Sequence, residues 1–530
     1  MSASREKKQR QGGGLSEKAL QAQQQQAARK RKTVIYTVIG VVFAVLVAAL
    51  LVWRSSRNGI VRDMITASQA KATAATVGGK NLSVAELSYY YYSAHYSLWE
   101  TYYVYGLTSY IPADTAVMDQ ETGRTYRDYY LETALKSAQE NMALADVARN
   151  SGHSESEIKD SLNTQIQRMK ASAASSNVSY STYLKAMYGS YMSAAVFEKL
   201  YVQDLMAGLA YSDKRAELLD SYSEADLKAY YDADDHADSL DTFEYSYLYF
   251  TPAAVEEKDK DGNTRDEGEV KKEKALALTE AKANAEAAKK ALEKDGSVSD
   301  LVKEYELDDA DYADDVTKVG ASDAPSAIRE KLLSMKDGDV ELVENGESGY
   351  YVVTLHSRTL VEDLTRDVRH ILIRAETTTD GDGHTVAPTD AAWAAAKEKI
   401  EAIQAEYEAG ARTEDSFAAL ANEKSDDGNG TTGGLYEGNS NGDFVVEFND
   451  WVFDAGRQIG DVSQPIRHEG DPEKGGYWGY HLIYYVGEND PAWKITARYA
   501  LTAEDLSGWL EELRGNYQAA LTGGADNIGG

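Results

Sequence analysis

Two histidines stand in apolar, strand-like segments, His370 in DVRHILI and His481 in GYHLIYYV. Between them come a Ser-Asp-Asp run ending at Asp427, a Gly433-Gly434 pair and an aromatic stretch holding Phe444, Phe448, Trp451 and Phe453. A carboxylate or imidazole set among aromatic rings can accept hydrogen bonds and polarise a bound group. Taken singly, each has an ordinary reading: a lone strand histidine is usually a satisfied structural residue, and Phe is usually core. Most other chemistries are excluded. With no cysteine, there are no disulfides, thiolate zinc sites, Cys nucleophile or lipid-modified N-terminal Cys. The eight histidines show no His-x-x-x-His or His-Glu-x-x-His spacing for zinc. Asp380-Gly381-Asp382-Gly383-His384 is too short for a twelve-residue calcium loop. Acidic runs such as 308–315 read as solvated faces. No phosphate-binding or dinucleotide-binding glycine motif stands in a strand-to-helix context.

The elements that must position these residues are distributed along 530 residues, enough for several domains. The formal net charge is −32, with 55 Lys and Arg against 87 Asp and Glu, which argues against nucleic acid as a partner. Residues 1–32 run against this trend, with nine Lys and Arg and two Glu, and read as a basic cytoplasmic tail. Residues 33–53, TVIYTVIGVVFAVLVAALLVW, carry no charge and are long enough to span a bilayer as a helix. The Arg29–Lys32 cluster before them predicts a single-pass cell-membrane protein with a cytoplasmic N-terminus and its bulk outside. A cleaved signal peptide is the alternative. Residues 54–76 are small and polar, a stalk, and 77–240 show helical periodicity, with a Ser83/Glu86 capping box at the start of one helix.

From Phe243 the pattern becomes strand, charged loop, Ala/Lys/Glu helix, helix and closing strand GYYVVTLHSR. The same order recurs from DVRHILI to GYHLIYYV, where Thr389 caps a helix with Trp393, Ala396, Ile400, Ile403 and Tyr407 on one face. Two β-α-β units are thus repeated in series, over 241–360 and 364–488. Residues 489–530 hold an amphipathic helix with Leu506, Trp509, Leu510 and Leu513 on its apolar face, followed by a tail.

In the second repeat VRHILI, FAALANEKSDD, Gly-Gly, F…FND..F, IGDVSQP and GYHLI follow in that order. The set resembles the parvulin-type (PpiC-like) peptidyl-prolyl cis/trans isomerases, and the domain order is similar to membrane-anchored extracytoplasmic foldases of the PrsA/SurA type. The resemblance implies a multi-domain α+β protein: transmembrane helix, all-helical chaperone-like domain, two tandem parvulin-like α+β domains (the first degenerate) and a C-terminal helix. It implies His370, Asp427 and His481 as the catalytic set, and Phe444, Phe448, Trp451, Phe453 and Leu435 as the substrate pocket, with no cofactor and no metal. Two departures stand out. Gly433-Gly434-Leu435-Tyr436 lacks the Asp that usually follows the glycines, and RHEGDPEKGGYW (467–478) is inserted where a Thr or Ser is usual.

The chemistry such a site would perform needs no nucleophile. Rotation about an X–Pro bond loses amide resonance, a barrier of about 18–20 kcal/mol, and takes tens to hundreds of seconds uncatalysed. The twisted amide has less charge separation than the planar one, so an apolar pocket favours it. The expected partners are unfolded or partly folded secreted polypeptides with X–Pro bonds, and the membrane through one helix. Both a monomer and a homodimer are open. Aligning the repeats sets Tyr247 opposite His370 and Tyr351 opposite His481, a fold kept and a site lost. A non-catalytic holdase acting through the helical region is the alternative function. Twelve of the 37 tyrosines fall between Tyr89 and Tyr130. They read equally as interhelical packing or as an adhesive surface for clients.

Overall fold

The computed structural model describes residues 67–104, 112–233, 236–294, 296–322, 324–381, 385–428, 432–470 and 476–529. The expected span 33–53 and the basic tail lie outside them. Among the described residues no helix is long and apolar enough to cross a membrane. The chain divides into two compact units, one running to Ser221 and resuming at Thr502, the other comprising Tyr222–Leu501.

After a single helical turn (Ala67–Ala70), the first unit forms β1 (Thr73–Val77) and β2 (Lys80–Ser83). Five helices follow: α1 (Val84–Val104), α2 (Tyr126–Asn150), α3 (Lys159–Ser175), α4 (Tyr180–Tyr188) and α5 (Ala194–Leu219). Residues 73–76, read from sequence as stalk, are therefore most of a strand. The capping box forms as expected: Ser83 N–H donates to Glu86 Oε2 at 2.7 Å and Glu86 N–H to Ser83 Oγ at 3.3 Å. α1 packs against α2, α4 and α5, so it is enclosed on more than one side. That is how Tyr89, Tyr90 and Tyr91 all become buried although no single stripe of a helix could hold them. Their hydroxyls are met inside: Tyr89 donates to Asp204, Tyr91 to Asp114, and Tyr90 accepts from Gln203. Interhelical packing, not client exposure, explains the tyrosine run.

The second unit starts with α6 (Glu224–Asp232) and then builds two sheets of one design. The first repeat contains β3 (Thr242–Phe250), α7 (Glu267–Leu292), α8 (Val298–Tyr305), β4 (Tyr312–Val319), α9 (Ser326–Ser334), β5 (Val340–Glu344) and β6 (Tyr350–Thr359). The second contains β7 (Leu364–Arg374) and a small hairpin of β8 (Thr378–Thr379) and β9 (Thr385–Val386). Helices α10 (Asp390–Ala409) and α11 (Glu414–Lys424) come next. It closes with β10 (Leu435–Asn439), α12 (Val446–Val452), β11 (Ile466–Glu469) and β12 (Trp478–Pro491). The antiparallel sheets run β4-β3-β6-β5 and β10-β7-β12-β11, the same order with each strand replaced by its counterpart.

Alternation along β7 and β12 divides the second sheet into two faces. Ile371, Ile373, Tyr480 and Leu482 face α10 and α11, packing on Trp393, Ala396, Ile400, Ile403, Tyr407 and Phe417, the helical face expected from the sequence. Val368 and Ile483 face the other way, toward Phe448 and Val452 of α12.

Helix α13 (Ala492–Asn516) begins in the second unit, with Trp493 and Ala497 packed on Leu227 and Leu240. In the first unit its Trp509, Leu510 and Leu513 lie against Leu144, Ala145, Met206 and Ala210 of α2 and α5. The tail is not loose. Strand β13 (Ala519–Leu521) pairs with β1, and Arg127 donates to the Ile528 and Ala525 carbonyls at 2.8 and 3.0 Å.

Candidate active site

Strands β7 and β12 are neighbours, with Ile483 opposite His370 and Leu372 opposite His481. The two histidines are therefore diagonal on one face. Their Nδ1 atoms are 3.3 Å apart and their rings stack with centroids at 5.5 Å. Both are buried, 5% and 2% exposed. Burial, then the neighbouring His370, pulls the pKa of His481 down to about 3, so this imidazole is neutral at physiological pH.

Asp427 reaches the pair from the loop after α11, its Oδ2 3.0 Å from His370 Nε2. The two residues before it make that approach possible. Ser425 Oγ accepts from Leu372 N–H at 3.1 Å, Asp426 N–H donates to the Leu372 carbonyl at 2.8 Å, and Asp426 Oδ2 accepts from Arg374 N–H at 2.9 Å. A side chain and a short loop thus satisfy the β7 backbone where β10 no longer pairs with it.

The glycine pair makes the handover. Gly433 and Gly434 have φ of +73° and +66°, a region that favours glycine. A Cβ on Gly434 would stand 2.1 Å from the His370 carbonyl oxygen. Beneath the turn lies Arg369, 1% exposed, bonded through Nε to Glu414 Oε1 at 2.9 Å and through Nη1 to the Thr432 and Gly433 carbonyls at 3.1 and 3.0 Å. This guanidinium ties the turn to α11.

The aromatic residues form the other wall. Phe448 presents its ring edge-on to both imidazoles, with centroids at 5.4 Å from His370 and 5.2 Å from His481. Phe444 lies 4.4 Å from Phe448 and remains partly exposed. Trp451 and Phe453 stand behind, Trp451 under the Arg457 guanidinium at 3.8 Å and Phe453 near Arg366 at 5.7 Å. Leu435 is not part of this group. It pairs with Arg369, on the helix-facing side of the sheet, whereas the next residue, Tyr436, pairs with Val368 on the site face. Tyr436 lies 4.9 Å from the His370 ring and donates its O–H to Asp427 Oδ2 at 2.9 Å.

Several of these residues escape sequence reasoning. Tyr436 is signalled only by the period of two along β10. Tyr477, in the inserted segment, places its hydroxyl 3.0 Å from His481 Nε2. Burial, with Asp427 nearby, raises the pKa of that phenol. His468, on β11, lies 4.8 Å from the Tyr477 ring, with Nδ1 3.4 Å from Glu447 Oε2. Arg369 is legible only as a charge set inside an apolar strand. Among the described residues no group of His, Asp and Glu is placed to hold a metal.

The arrangement is an aromatic-walled sheet face with a fixed carboxylate and two linked imidazoles. It can hold a small apolar ring beside a polar group. Residues 370–486 match the family model for the rotamase, PPIC-type PPIASE domain. Among solved structures, the chain is 20% identical to the peptidylprolyl isomerase PrsA from Bacillus anthracis, the match covering 29% of this chain and 58% of that one, with a TM-score of 0.17. For PrsA from Bacillus cereus the values are 12% identity, 76% and 90% coverage, and a TM-score of 0.16. For PrsA from Bacillus subtilis they are 16%, 46% and 79%, and 0.15. No curated protein matches the chain. Residues 370–486 are a peptidyl-prolyl cis/trans isomerase domain of the parvulin type.

Proposed function

We propose that this isomerase domain accelerates X–Pro rotation in unfolded or partly folded secreted polypeptides, as part of a membrane-anchored extracytoplasmic foldase whose helical unit engages the same clients. The observation that carries the reading is the convergence of Asp427, His370 and His481 on a face walled by Phe444 and Phe448, inside a stretch matching an isomerase family. In this reading His370, Asp427 and His481 are the catalytic set, and Phe444, Phe448 and Tyr436 hold the proline ring, with Trp451 and Phe453 supporting them.

The chemistry follows from the amide. In the planar state the carbonyl oxygen carries extra negative charge and the nitrogen positive charge, and both are reduced on twisting. A water-poor pocket disfavours the charge-separated planar state. A carboxylate held beside the carbonyl oxygen adds to this, since its repulsion is larger in the planar state. Asp427 is suited to that role because its position is fixed by its own backbone and by two donors. The neutral state of His481 keeps a second charge out of the pocket.

Anchoring through residues 33–53 is supported by 21 uncharged residues beside the Arg29–Lys32 cluster. Alkaline extraction of membranes should leave the full chain in the pellet and release a chain lacking 33–53. Catalysis is tested by proline-limited refolding with the full chain. Asp427→Ala and Phe448→Ala should each lower the rate at least about tenfold, about 1.4 kcal/mol of transition-state stabilisation, with melting curves recorded in parallel. Unchanged rates with persistent suppression of aggregation would replace the isomerase reading by the holdase one.

A further inference from the structure

The first repeat parts from the second just beyond its central strand. Counting on from the matched pair Tyr247 and His370, Pro252 falls where Ala375 stands. The Ala375 amide donates to the Trp478 carbonyl at 2.9 Å and keeps the chain on the sheet. Proline has no amide to give. The carbonyl matched to that of Trp478 belongs to Ser348, and it accepts from the Tyr249 hydroxyl at 2.6 Å instead. The chain therefore leaves the sheet at Pro252. Residues 251–256 are neither helix, strand nor turn. The amides and carbonyls of Ala253, Ala254 and Val255 bond to no described residue.

A cleft of about 890 Å³ is lined by this segment, by α7 and by Glu347, within the range of about 300–1,000 Å³ usual for ligand pockets. Helix α7 has 26 residues against 20 in its counterpart α10. Its Ala281, Ala285 and Ala288 pack on Leu248, Phe250 and Val352 of the sheet. Val270 and Ala275, nearer its N-terminus, lie outside that cluster and line the cleft with Leu278. The longer helix thus carries its apolar stripe past the part that covers the sheet. The rim holds three acids, Glu257, Glu267 and Glu347, and three bases, Arg265, Lys271 and Lys274. It is locally neutral in a chain of formal net charge −32.

We propose that this cleft binds an extended, uncharged, apolar stretch of a non-native polypeptide. The bound main chain adds to Ala253–Val255 as a strand adds to an open edge, where unpaired amides and carbonyls supply bonds that tolerate any sequence. Alternate side chains of the bound stretch point one way. They rest on Val270, Ala275 and Leu278 and so leave water. The balanced rim complements a neutral occupant, since it neither repels one nor leaves a buried charge unpaired. Free main-chain groups along one wall fit a polypeptide better than a small apolar molecule. The proposal deepens the foldase reading on which it rests: clients are held at the first repeat while the second acts on their prolines. The binding itself needs no isomerase activity.

The test uses the full chain and a proline-free peptide of about eight alternating valines and threonines, uncharged and extended, with binding read by titration calorimetry. Saturable binding of one peptide per chain is expected. Ala275→Glu, at an exposed position, sets a charge on the cleft floor and is expected to weaken binding at least about tenfold. Ala254→Pro removes one amide from the open segment and is expected to weaken it about three- to tenfold. The same peptide N-methylated at alternate residues keeps its side chains and is expected to lose a similar factor for each bond removed. Melting curves establish that both variants are folded. No binding to the unsubstituted chain, or equal binding by the Ala275→Glu protein, overturns the proposal. Equal affinity for the methylated peptide overturns it too, by making the cleft a side-chain pocket. So does a dimer that Ala275→Glu dissolves and the peptide leaves intact, which would give the cleft to a second copy of this chain. Binding as expected by a protein that fails to speed proline-limited refolding upholds the cleft and defeats the isomerase reading alone. Refolding that is speeded without peptide binding defeats the cleft alone.

Discussion

In the first sheet the Tyr249 amide donates to the Asp311 carbonyl at 2.6 Å, extending a β3–β4 ladder that already pairs Tyr247 with Ala313 and Leu248 with Tyr312. In the second sheet the equivalent amide, Leu372, is met by the Ser425 hydroxyl, because β10 pairs only as far as Arg369 and leaves through Gly434. The gap is where Asp427 enters. The counterparts of the histidines follow the same rule. Tyr247 pairs with Val353 as His370 does with Ile483, and Tyr351 precedes Val353 by two residues as His481 precedes Ile483. The two tyrosine rings lie 5.7 Å apart, close to the 5.5 Å of the imidazoles, but edge-on at 70° rather than stacked at 29°. One architecture thus has a closed edge with an aromatic pair, and an open edge with a titratable pair and a carboxylate. A site of this kind depends less on the fold than on where one edge strand stops.

The largest expected difference between the sheets lies one residue from His370. Arg369 is buried and bonded to Glu414 and two turn carbonyls, and its counterpart in the first sheet is Ser246, buried with its Oγ 3.0 Å from His356 Nε2. Arg369→Met leaves Glu414 without its guanidinium and frees the glycine turn. Breaking a buried pair in this way costs about 3–5 kcal/mol, against about 1 kcal/mol for Ser246→Ala. Urea unfolding followed by hydrogen exchange of β7 and β3 amides resolves the two. An Arg369→Met loss under about 1 kcal/mol would mean that the turn is held by its glycines alone.

Much of this contrast was legible in the sequence. The order of six short segments located the second repeat, and alignment of GYHLI with GYYVV set Tyr351 against His481 because strand period and register are local properties. What stayed hidden is the direction in which particular side chains turn, and one contact between distant segments. Tyr477 reads as one of many tyrosines until β12 carries it beside its own His481. Motif order alone sets Leu435 in the pocket; alternation along β10 turns Tyr436 inward instead. The pairing of β13 with β1 joins residues some 440 apart in a ladder of three registered pairs, too short for any periodic signal.

A second difference is electrostatic. The folded protein holds His481 neutral down to about pH 3, whereas an unfolded histidine takes up a proton near its ordinary value of 6.5. Between those limits the unfolded state binds the extra proton, so stability of the second sheet falls as pH falls, by up to about 1.4 kcal/mol per pH unit. The first sheet has no such penalty at the position matched to His481. Burial, then Tyr249, raises the pKa of Tyr351, which stays neutral across the whole acid range in both states. Hydrogen exchange at pH 7 and pH 5 should therefore show β12 amides losing protection while β6 amides keep theirs, once intrinsic exchange is corrected. Equal losses in both strands would trace acid sensitivity to the carboxylates spread over the surface.

The smallest expected effect tests whether the aromatic pair is a site at all. Tyr247 and Tyr351 are partly buried against Ile328 and Leu332 of α9 and the Val353 face, so their rings contribute packing. In the second sheet the His370 ring is bonded to both Asp427 and His481, so replacing it removes the link to the carboxylate. In the first, a double Tyr247→Phe, Tyr351→Phe change keeps both rings and the edge-on contact while deleting two hydroxyls. The expected loss is about 1 kcal/mol or less, the range for modest polar groups at a partly solvated position, with the refolding rate of proline-limited substrates unchanged. His370→Phe, an equally aromatic replacement at the matched register, should abolish that rate. If the double variant instead slows refolding as severely as His370→Phe, the tyrosine face takes part in handling X–Pro chains, and the two sheets differ in chemistry but not in whether they engage the substrate.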